Sequence, residues 1–203
     1  MIIWINGAFG VGKTQTAHEL SRRLAASHVA DPELLGFAIH KMLPATSRAD
    51  FQDRPQGRSG VVETLAQADH ETRCPVIVPM TLVDTTYFDE VVGGLRAEGV
   101  DVRHYALTAS VEVIHKRLRS RLASVVGRLI GTDETWAMQQ AQRCVVALQD
   151  SRFATHIPTD DLSIDEVVEQ IADDLDLPLE HPRLGAARYQ ARRLQVGIRH
   201  IRL

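Results

Sequence analysis

The chain has 203 residues, of which 44% are apolar and 24% are charged, as in a globular protein with one domain and a sizeable core. The formal net charge of -3 gives no general reason to expect nucleic acid as a partner, and no apolar run is long enough for a membrane-spanning helix. Cys74 and Cys144 lack motif spacing and predict free thiols. We therefore expect a cytoplasmic protein without a nucleic acid partner, and we leave open whether it forms a homodimer.

Strand-like apolar runs alternate with helical patterns along the chain. The five predicted strands are Ile2–Ile5, His28–Ala30, Pro75–Leu82, Val102–Leu107 and Thr155–Pro158. The helical patterns cover Thr14–Ala26, Val61–His70, Tyr87–Glu98 and the segment from Ser163, where Ser163 and Glu166 fit a capping box. This alternation predicts an α/β fold in which a parallel five-stranded sheet is covered by helices on both faces.

The segment after the first strand carries the strongest motif. Residues Gly7 to Thr14 read GAFGVGKT and match G-x-x-x-x-G-K-[ST], with a strand before and a helix after. Glycines let backbone N–H groups approach phosphate oxygens, Lys13 reaches the terminal phosphates, and the Thr14 hydroxyl ligates Mg²⁺. The motif predicts ATP and Mg²⁺ as cofactors and a three-layer P-loop NTPase fold of the nucleoside and nucleotide monophosphate kinase type. The nucleotide-binding residues predicted here are Gly7, Ala8, Phe9, Gly10, Val11, Gly12, Lys13, Thr14 and Gln15.

Asp31 follows the second predicted strand, at the edge of the sheet where ligands bind in α/β folds. A carboxylate there can accept a proton from a substrate hydroxyl or hold magnesium through water. The alternative is a structural role at a helix start, since Asp31-Pro32-Glu33 is also a favourable beginning for a helix. Both roles stay open.

The polar segment from Thr46 to Gly60 is predicted to be a functional loop or lid. Phe51 is suited to stack on a heterocyclic base, Gln52 to hydrogen-bond a base edge, and Arg54 and Arg58 to pair with an anion. The alternative is a solvated loop anchored by one phenylalanine.

Met80 and Thr81 lie at the end of the third predicted strand. We place Met80 on the substrate side. P-loop enzymes often carry an acid near this position to organise magnesium, but this chain has Thr81 there and Asp84 three residues later.

A basic run, Lys116 to Arg121, lies on a predicted helix, with Arg143 on the next helix. Arg117 and Arg121 are four residues apart and share a helical face. The two predicted helices flank an insert, Leu122 to Gly131. We therefore predict a lid over about 117–143 whose Arg117 and Arg121 bind the nucleotide and stabilise the transferring phosphoryl group. The alternative is an ordinary solvated basic face.

A change in charge near the end of the chain separates a domain, residues 1–181, from a tail, residues 182–203. The tail has six arginines and no acid. Its apolar residues recur at helical spacing: Leu184, Ala187, Ala191, Leu194, Ile198 and Ile201. Such a cationic amphipathic helix either docks on the domain, which we favour, or lies on an anionic membrane surface.

With these residues considered together, the chain resembles the tunicamycin resistance protein family over nearly its whole length. The segments that carry the resemblance are Met1–Gly10, Gly12–Ala17, Asp31–Glu33, Phe51-Gln52, Val78–Thr81, Lys116–Arg119, Thr159-Asp160, Leu162–Ile164 and His200–Arg202. The resemblance implies ATP binding, a nucleoside- or nucleotide-kinase-like fold and resistance to tunicamycin, a uracil-containing nucleoside antibiotic. It also implies peripheral contact of the C-terminal helix with the inner face of the membrane.

Two functions follow as hypotheses. The first is an ATP- and magnesium-dependent phosphotransferase acting on a hydroxyl of a nucleoside-type antibiotic, with Lys13, Asp31, Arg117 and Arg121 as catalytic groups and Thr14 and Asp31 at the metal. Its predicted substrate-binding residues are Phe51, Gln52, Arg54, Arg58 and Met80. The second is a non-catalytic, ATP-dependent binder that sequesters the antibiotic or limits its access at the membrane.

Overall fold

The computed structural model describes residues 1–122 and 138–199, without the side chains of residues 121, 122, 198 and 199. Its sheet has five parallel strands in the order β2–β3–β1–β4–β5, which confirms the predicted parallel sheet. The strands are β1 (Ile2–Gly7), β2 (His28–Val29), β3 (Val76–Pro79), β4 (Val102–Thr108) and β5 (His156–Pro158).

The helices follow the strands in alternation, as expected for parallel connections. They are α1 (Lys13–Arg23), α2 (Glu33–Met42), α3 (Pro55–Glu71), α4 (Thr85–Phe88, a π-helical turn Asp89–Gly93, and Gly94–Ala97), α5 (Val111–Leu122), α6 (138–147), α7 (Ile164–Asp174) and α8 (Ala186–Arg199). Short 3₁₀ turns cover Ala45–Ser47, Phe51–Asp53 and Ser151–Phe153. The capping box at the start of α7 is confirmed, because the Ser163 and Glu166 side chains each accept the other residue's backbone N–H.

Two apolar clusters make the fold a three-layer sandwich around the sheet. One cluster packs α1, α5, α6 and α7 on one face, through side chains such as Leu20, Ile114 and Ile171. The other packs α3 and α4 on the opposite face, through Leu65 and Leu95 among others. All six residues of β1 are buried, since it lies between β3 and β4 at the centre of the sheet.

One sequence prediction about a loop needs correction. The polar segment expected to extend to Gly60 ends earlier, because α3 begins at Pro55 rather than at Val61. Proline suits the first turn of a helix, where its missing N–H would have no intrahelical partner. The segment after Asp31 forms α2, the helix for which Asp31-Pro32-Glu33 was a favourable beginning.

A buried asparagine joins the central strand to its neighbours just before the P-loop. The Asn6 side chain accepts hydrogen bonds from the backbone N–H groups of Gly7 (2.8 Å) and Leu82 (2.9 Å) and donates to the Leu82 carbonyl (2.7 Å). Its amide nitrogen also lies 3.2 Å from Nε2 of His104 on β4. Because Nδ1 of His104 faces the Ala154 carbonyl, which only accepts, Nδ1 carries the ring proton and Nε2 accepts from Asn6.

The C-terminal helix α8 packs against α1. The Arg192 guanidinium donates to the His18 carbonyl (3.3 Å), and the Gln15 amide donates to the Arg193 carbonyl (3.4 Å). Docking of the tail on the domain, which the sequence favoured, is therefore what the structure shows. Within the described ranges, no helix combines the length and apolar character needed to cross a bilayer.

We predict that His104 makes folding stability depend on acid pH. Burial lowers the pKa of His104 to about 4, while an unfolded histidine titrates near 6.5. The unfolded chain therefore takes up a proton before the folded chain does, and stability present above about pH 6.5 is lost as the pH falls towards 4, by up to about 3 kcal/mol. Urea unfolding at about pH 7 and about pH 4.5 measures this loss.

A His104→Gln variant isolates this contribution, because its amide does not titrate, and a His70→Gln variant on the exposed face of α3 serves as its control. We expect the His104 variant to lose about 2 kcal/mol less than the native protein over this range. An equal loss in all three proteins would contradict the assignment.

Candidate functional site

The loop between β1 and α1 is shaped by glycines in backbone conformations that other residues rarely adopt. Gly10 and Gly12 have φ values of 85° and 118°. A Cβ at Gly10 would lie 2.8 Å from a carbon of Leu118, so a side chain there would collide with α5. The sequence requirement for glycine at this position therefore has two causes, backbone conformation and close packing.

The loop leads into a helix whose first turn is open to an anion. Gly12 occupies the N-cap of α1, makes no side-chain cap, and is followed by no acidic residue in the first turn. Uncapped N–H groups at a helix start, with the positive end of the helix dipole, form a ready site for phosphate. The residues present therefore fit the phosphates of a nucleotide.

Lys13 and Thr14 lie at the end of this loop, in the first turn of α1. Lys13 is 8% exposed, and its ammonium donates to the Ala8 carbonyl at 3.1 Å and lies 5.4 Å from the centre of the Phe9 ring. The lysine is thereby held over the loop. The half-buried Thr14 hydroxyl stands one residue further, on the first turn of α1.

A magnesium ion at a P-loop needs few protein ligands. Within the described part of the chain, no group of three or more His, Cys, Asp or Glu side chains is placed to hold a metal. Magnesium in P-loop enzymes is held by the Ser/Thr hydroxyl, phosphate oxygens and water, with a carboxylate acting nearby. The Thr14 hydroxyl fits this arrangement.

Thr81 and Asp84 have structural partners at the end of β3. The Thr81 hydroxyl donates to the Gly7 carbonyl at 2.9 Å, which ties the first glycine of the loop to the neighbouring strand. Asp84 caps α4 by accepting from the backbone N–H groups of Thr86 and Tyr87. Asp31 therefore remains the carboxylate predicted to act at the metal.

Arg117 connects the phosphate loop to the segment after β5. Its guanidinium donates to the Val11 carbonyl at 3.1 Å, and to the hydroxyl (3.0 Å) and carbonyl of Thr159. Burial lowers the pKa of the Arg117 guanidinium, and the Asp160 carboxylate opposes the shift. Arg117 thus contacts the loop, and its role in nucleotide binding stays a prediction. The Arg121 side chain, most of the expected lid and residues 123–131 of its insert lie outside the described residues.

Asp31 stands at the carboxyl end of β2, on the same edge of the sheet as the phosphate loop. Its Oδ1 accepts the backbone N–H of Glu33 at 3.0 Å, so its predicted role at a helix start is confirmed. The catalytic and metal roles of Asp31 stay predictions.

Phe51 and Met80 are buried. Phe51 is 8% exposed and packs so closely on α2 that a Cβ at Gly36 would lie 2.3 Å from its ring. Met80 is 1% exposed and belongs to the same apolar cluster. Phe51 therefore anchors the loop, as the alternative interpretation expected, and contact of either side chain with a substrate stays a prediction.

The 3₁₀ turn Phe51–Asp53 contains Gln52 and lies beside Arg54 and Arg58. The Gln52 amide donates to the Thr81 carbonyl at 3.2 Å, which brings this turn to the end of β3. Arg54 donates to the Ser47 carbonyl, and Arg58 donates to the Gln52 carbonyl and pairs with Glu90 at 2.5 Å. The structure thus brings Gln52 to the sheet edge and directs both arginines onto protein groups.

Sequence reasoning assigned no separate role to three polar residues that shape this site. Asn6 and Thr81 bind backbone groups at the start of the loop, and the buried Thr159 receives Arg117. An asparagine at the buried end of a strand was the available signal, because a buried amide must find hydrogen-bond partners.

Comparison with known proteins places this geometry in a family. The model of the AAA domain family matches residues 2–145. The structure of the Deinococcus radiodurans tunicamycin resistance protein is similar, with 33% identity and a TM-score of 0.73, over 89% of this chain and 99% of that chain. Comparison with curated proteins gives no significant match.

More distant structures share the fold. A gluconokinase from Sinorhizobium meliloti 1021 is 17% identical, with a TM-score of 0.56, over 86% of this chain and 94% of that chain. A shikimate kinase from Bacteroides thetaiotaomicron is 14% identical, with a TM-score of 0.56, over 87% of this chain and 99% of that chain. At these identities the likeness shows the α/β fold alone.

Proposed function

The chain belongs to the AAA domain family and to the tunicamycin resistance protein family, and from this premise we propose that it is an ATP- and magnesium-dependent phosphotransferase. Its acceptor is a hydroxyl group of a nucleoside-type antibiotic such as tunicamycin. Nucleotide binding on a kinase-like fold is the general property of the family, and the transfer step and its substrate are the parts that we propose.

The phosphate side of the proposed reaction is supported by the P-loop. Bound ATP supplies the γ-phosphoryl group, and magnesium offsets its negative charge. Lys13 and the N–H groups at the start of α1 bind phosphate oxygens, and the Thr14 hydroxyl holds the metal. Arg117, beside Val11, adds positive charge to the same site, and Arg121 is proposed to act with it.

The acceptor side is supported by the carboxylate of Asp31. Asp31 and the P-loop share one edge of the sheet, and this shared edge is the observation that carries the proposal. In the proposed step, a hydroxyl oxygen bonds to the γ-phosphorus as the bond from that phosphorus to the β,γ-bridging oxygen breaks. Asp31 accepts the hydroxyl proton, so the products are a phosphate ester and ADP.

We predict that incubation with ATP, Mg²⁺ and tunicamycin yields a phosphorylated antibiotic detectable by mass spectrometry. An Asp31→Asn variant should lower kcat by on the order of 10²-fold or more while still binding ATP, because only the proton acceptor is lost. A Lys13→Ala variant should lose ATP binding, since its ammonium serves the phosphates. Asp101→Asn, an exposed change at the start of β4, provides the matched control and should behave like the native protein.

Absence of an adduct from a protein that binds ATP would refute transfer and favour the binder that sequesters the antibiotic. Full resistance in cells that carry only the Asp31→Asn variant would favour the binder as well.

We further propose that α8 contacts an anionic membrane surface with the face that it turns away from the domain. The side chains seated on α1 are Tyr189, Arg192 and Val196. Three members of the apolar stripe predicted from the sequence point elsewhere: Ala187 and Ala191 are exposed, and Leu194 is 50% exposed. The side chains of Ile198 and Ile201 lie outside the described part of the chain. Docking on the domain and the proposed membrane contact need not exclude each other, because the proposed contact uses a different face of the helix from the docked one.

Arginines beside this stripe favour anionic lipid, since each basic side chain near such a surface contributes about 1 kcal/mol. We predict that the protein co-sediments with vesicles rich in phosphatidylglycerol and that Leu194→Glu abolishes this binding. Val196→Ala, on the docked face, should leave vesicle binding intact. Equal binding to phosphatidylcholine vesicles, or loss of binding in the Val196 variant alone, would contradict the proposed face.

A further inference from the structure

The phosphate loop begins where the backbone pairing between β1 and β3 ends. The paired register stops at Ile5 and Pro79, and the Met80 N–H donates to the Ile5 carbonyl at 3.2 Å. Beyond this point side chains join the two strands. The Thr81 hydroxyl donates to the Gly7 carbonyl at 2.9 Å, so the chain that leaves β3 contacts the first residue of the loop.

The peptide group that follows Gly7 depends on this contact. Gly7 has a φ of 149°, and a Cβ there would lie 2.7 Å from the Leu107 carbonyl oxygen, so a side chain is excluded. Glycine in turn leaves the rotation of its own backbone weakly restricted. Because a peptide group is planar, the bond from Thr81 to the Gly7 carbonyl also fixes the direction of the Ala8 N–H within the phosphate loop.

Thr81 also contacts the turn that is predicted to meet the acceptor. Its carbonyl accepts the Gln52 side-chain amide at 3.2 Å, and Gln52 belongs to the 3₁₀ turn Phe51–Asp53, which we call the acceptor-side turn. The next residue, Leu82, is held through its N–H and its carbonyl by the Asn6 side chain. Thr81, which is 6% exposed, therefore joins the phosphate loop to the acceptor-side turn through two hydrogen bonds.

From these contacts we infer that Thr81 is a positioning residue, which sets the placement of the acceptor-side turn relative to the phosphate loop. Phosphates that bind the loop then also order the turn, because Thr81 is bonded to both. Only the effect on rate rests on the proposed phosphotransferase function. Transfer needs the two substrates in one geometry, and a misplacement of about 1 Å can lower the rate about 10²-fold.

A hydroxyl suits this contact better than the acid that P-loop enzymes often carry near this position. An ionised carboxylate only accepts hydrogen bonds, so it would repel the Gly7 carbonyl instead of binding it. Serine would keep the donor, whereas valine keeps the shape of threonine and loses the donor. Thr81→Ser and Thr81→Val are therefore a matched pair of variants.

Hydrogen–deuterium exchange tests the connection without relying on turnover. The native protein and each variant are compared with and without a non-hydrolysable ATP analogue and Mg²⁺. We expect the analogue to slow exchange at the amides of residues 51–54 about fivefold or more in the native protein and in Thr81→Ser, but not in Thr81→Val. Gln52→Leu, which breaks the second bond and leaves the phosphate loop intact, should bind the analogue and also lose the slowing.

Two outcomes of this experiment would overturn the inference. One is exchange in the native protein that does not respond to the analogue. The other is slowing in Gln52→Leu, or in Thr81→Val with the analogue bound, that equals the slowing in the native protein. Since Gln52→Leu changes no residue of the phosphate loop, it decides the matter even if Thr81→Val no longer binds the analogue.

The effect on transfer is measured separately with ATP, Mg²⁺ and tunicamycin. Thr81→Val should lower kcat by about tenfold or more and change the KM for ATP by less than about threefold, while Thr81→Ser behaves like the native protein. Thr72→Val is the control, because it removes a hydroxyl that donates to the Cys74 carbonyl at 3.2 Å before the start of β3. It should behave like the native protein.

A native kcat in Thr81→Val, with only a lower melting temperature, would show a purely structural role and overturn the inference. Slowed exchange in a native protein that transfers no phosphate would refute the proposed function instead, and would leave the connection through Thr81 intact.

Discussion

The backbone of the loop between β1 and α1 is the constraint on which the site depends. Its glycines adopt backbone conformations that other residues rarely adopt, and three side chains hold the loop in place. Thr81 binds the Gly7 carbonyl from the end of β3, and Arg117 binds the Val11 carbonyl from α5. Asn6 fixes the N–H of Gly7 from within β1. Because these bonds form within the protein, the N–H groups at the start of α1 are oriented by the fold itself, and a phosphate can bind with little reorganisation.

Much of the fold follows from the sequence because its signals are local. The motif at residues 7–14, the apolar strands and the capping box of α7 each depend on neighbouring residues, and the structure confirms the parallel sheet and the cap. Contacts between distant segments could not be predicted in this way. The sequence offered Arg58 as an anion-binding group, whereas its partners Glu90 and Tyr87 come from α4 and are visible only once α3 and α4 pack together.

The C-terminal tail is a second case in which local sequence signals did not predict a contact between distant segments. Helical periodicity correctly indicated an amphipathic helix, and simple burial reasoning would seat its apolar stripe on the domain. The docked face instead includes Tyr189, Arg192 and Val196. At that surface α1 presents polar and charged groups to the helix: Gln15, the His18 carbonyl and Glu19. A pattern of residues in one helix identifies its faces, but the partner surface decides which face it receives.

We propose that one edge of the sheet brings an ATP phosphate and an acceptor hydroxyl together beside Asp31. The most direct measurement is a crystal structure with a non-hydrolysable ATP analogue, Mg²⁺ and tunicamycin bound together. We expect an antibiotic hydroxyl in line with the γ-phosphate and within hydrogen-bond distance of the Asp31 carboxylate. An antibiotic bound elsewhere, or one whose hydroxyls all lie away from the γ-phosphate, would contradict it.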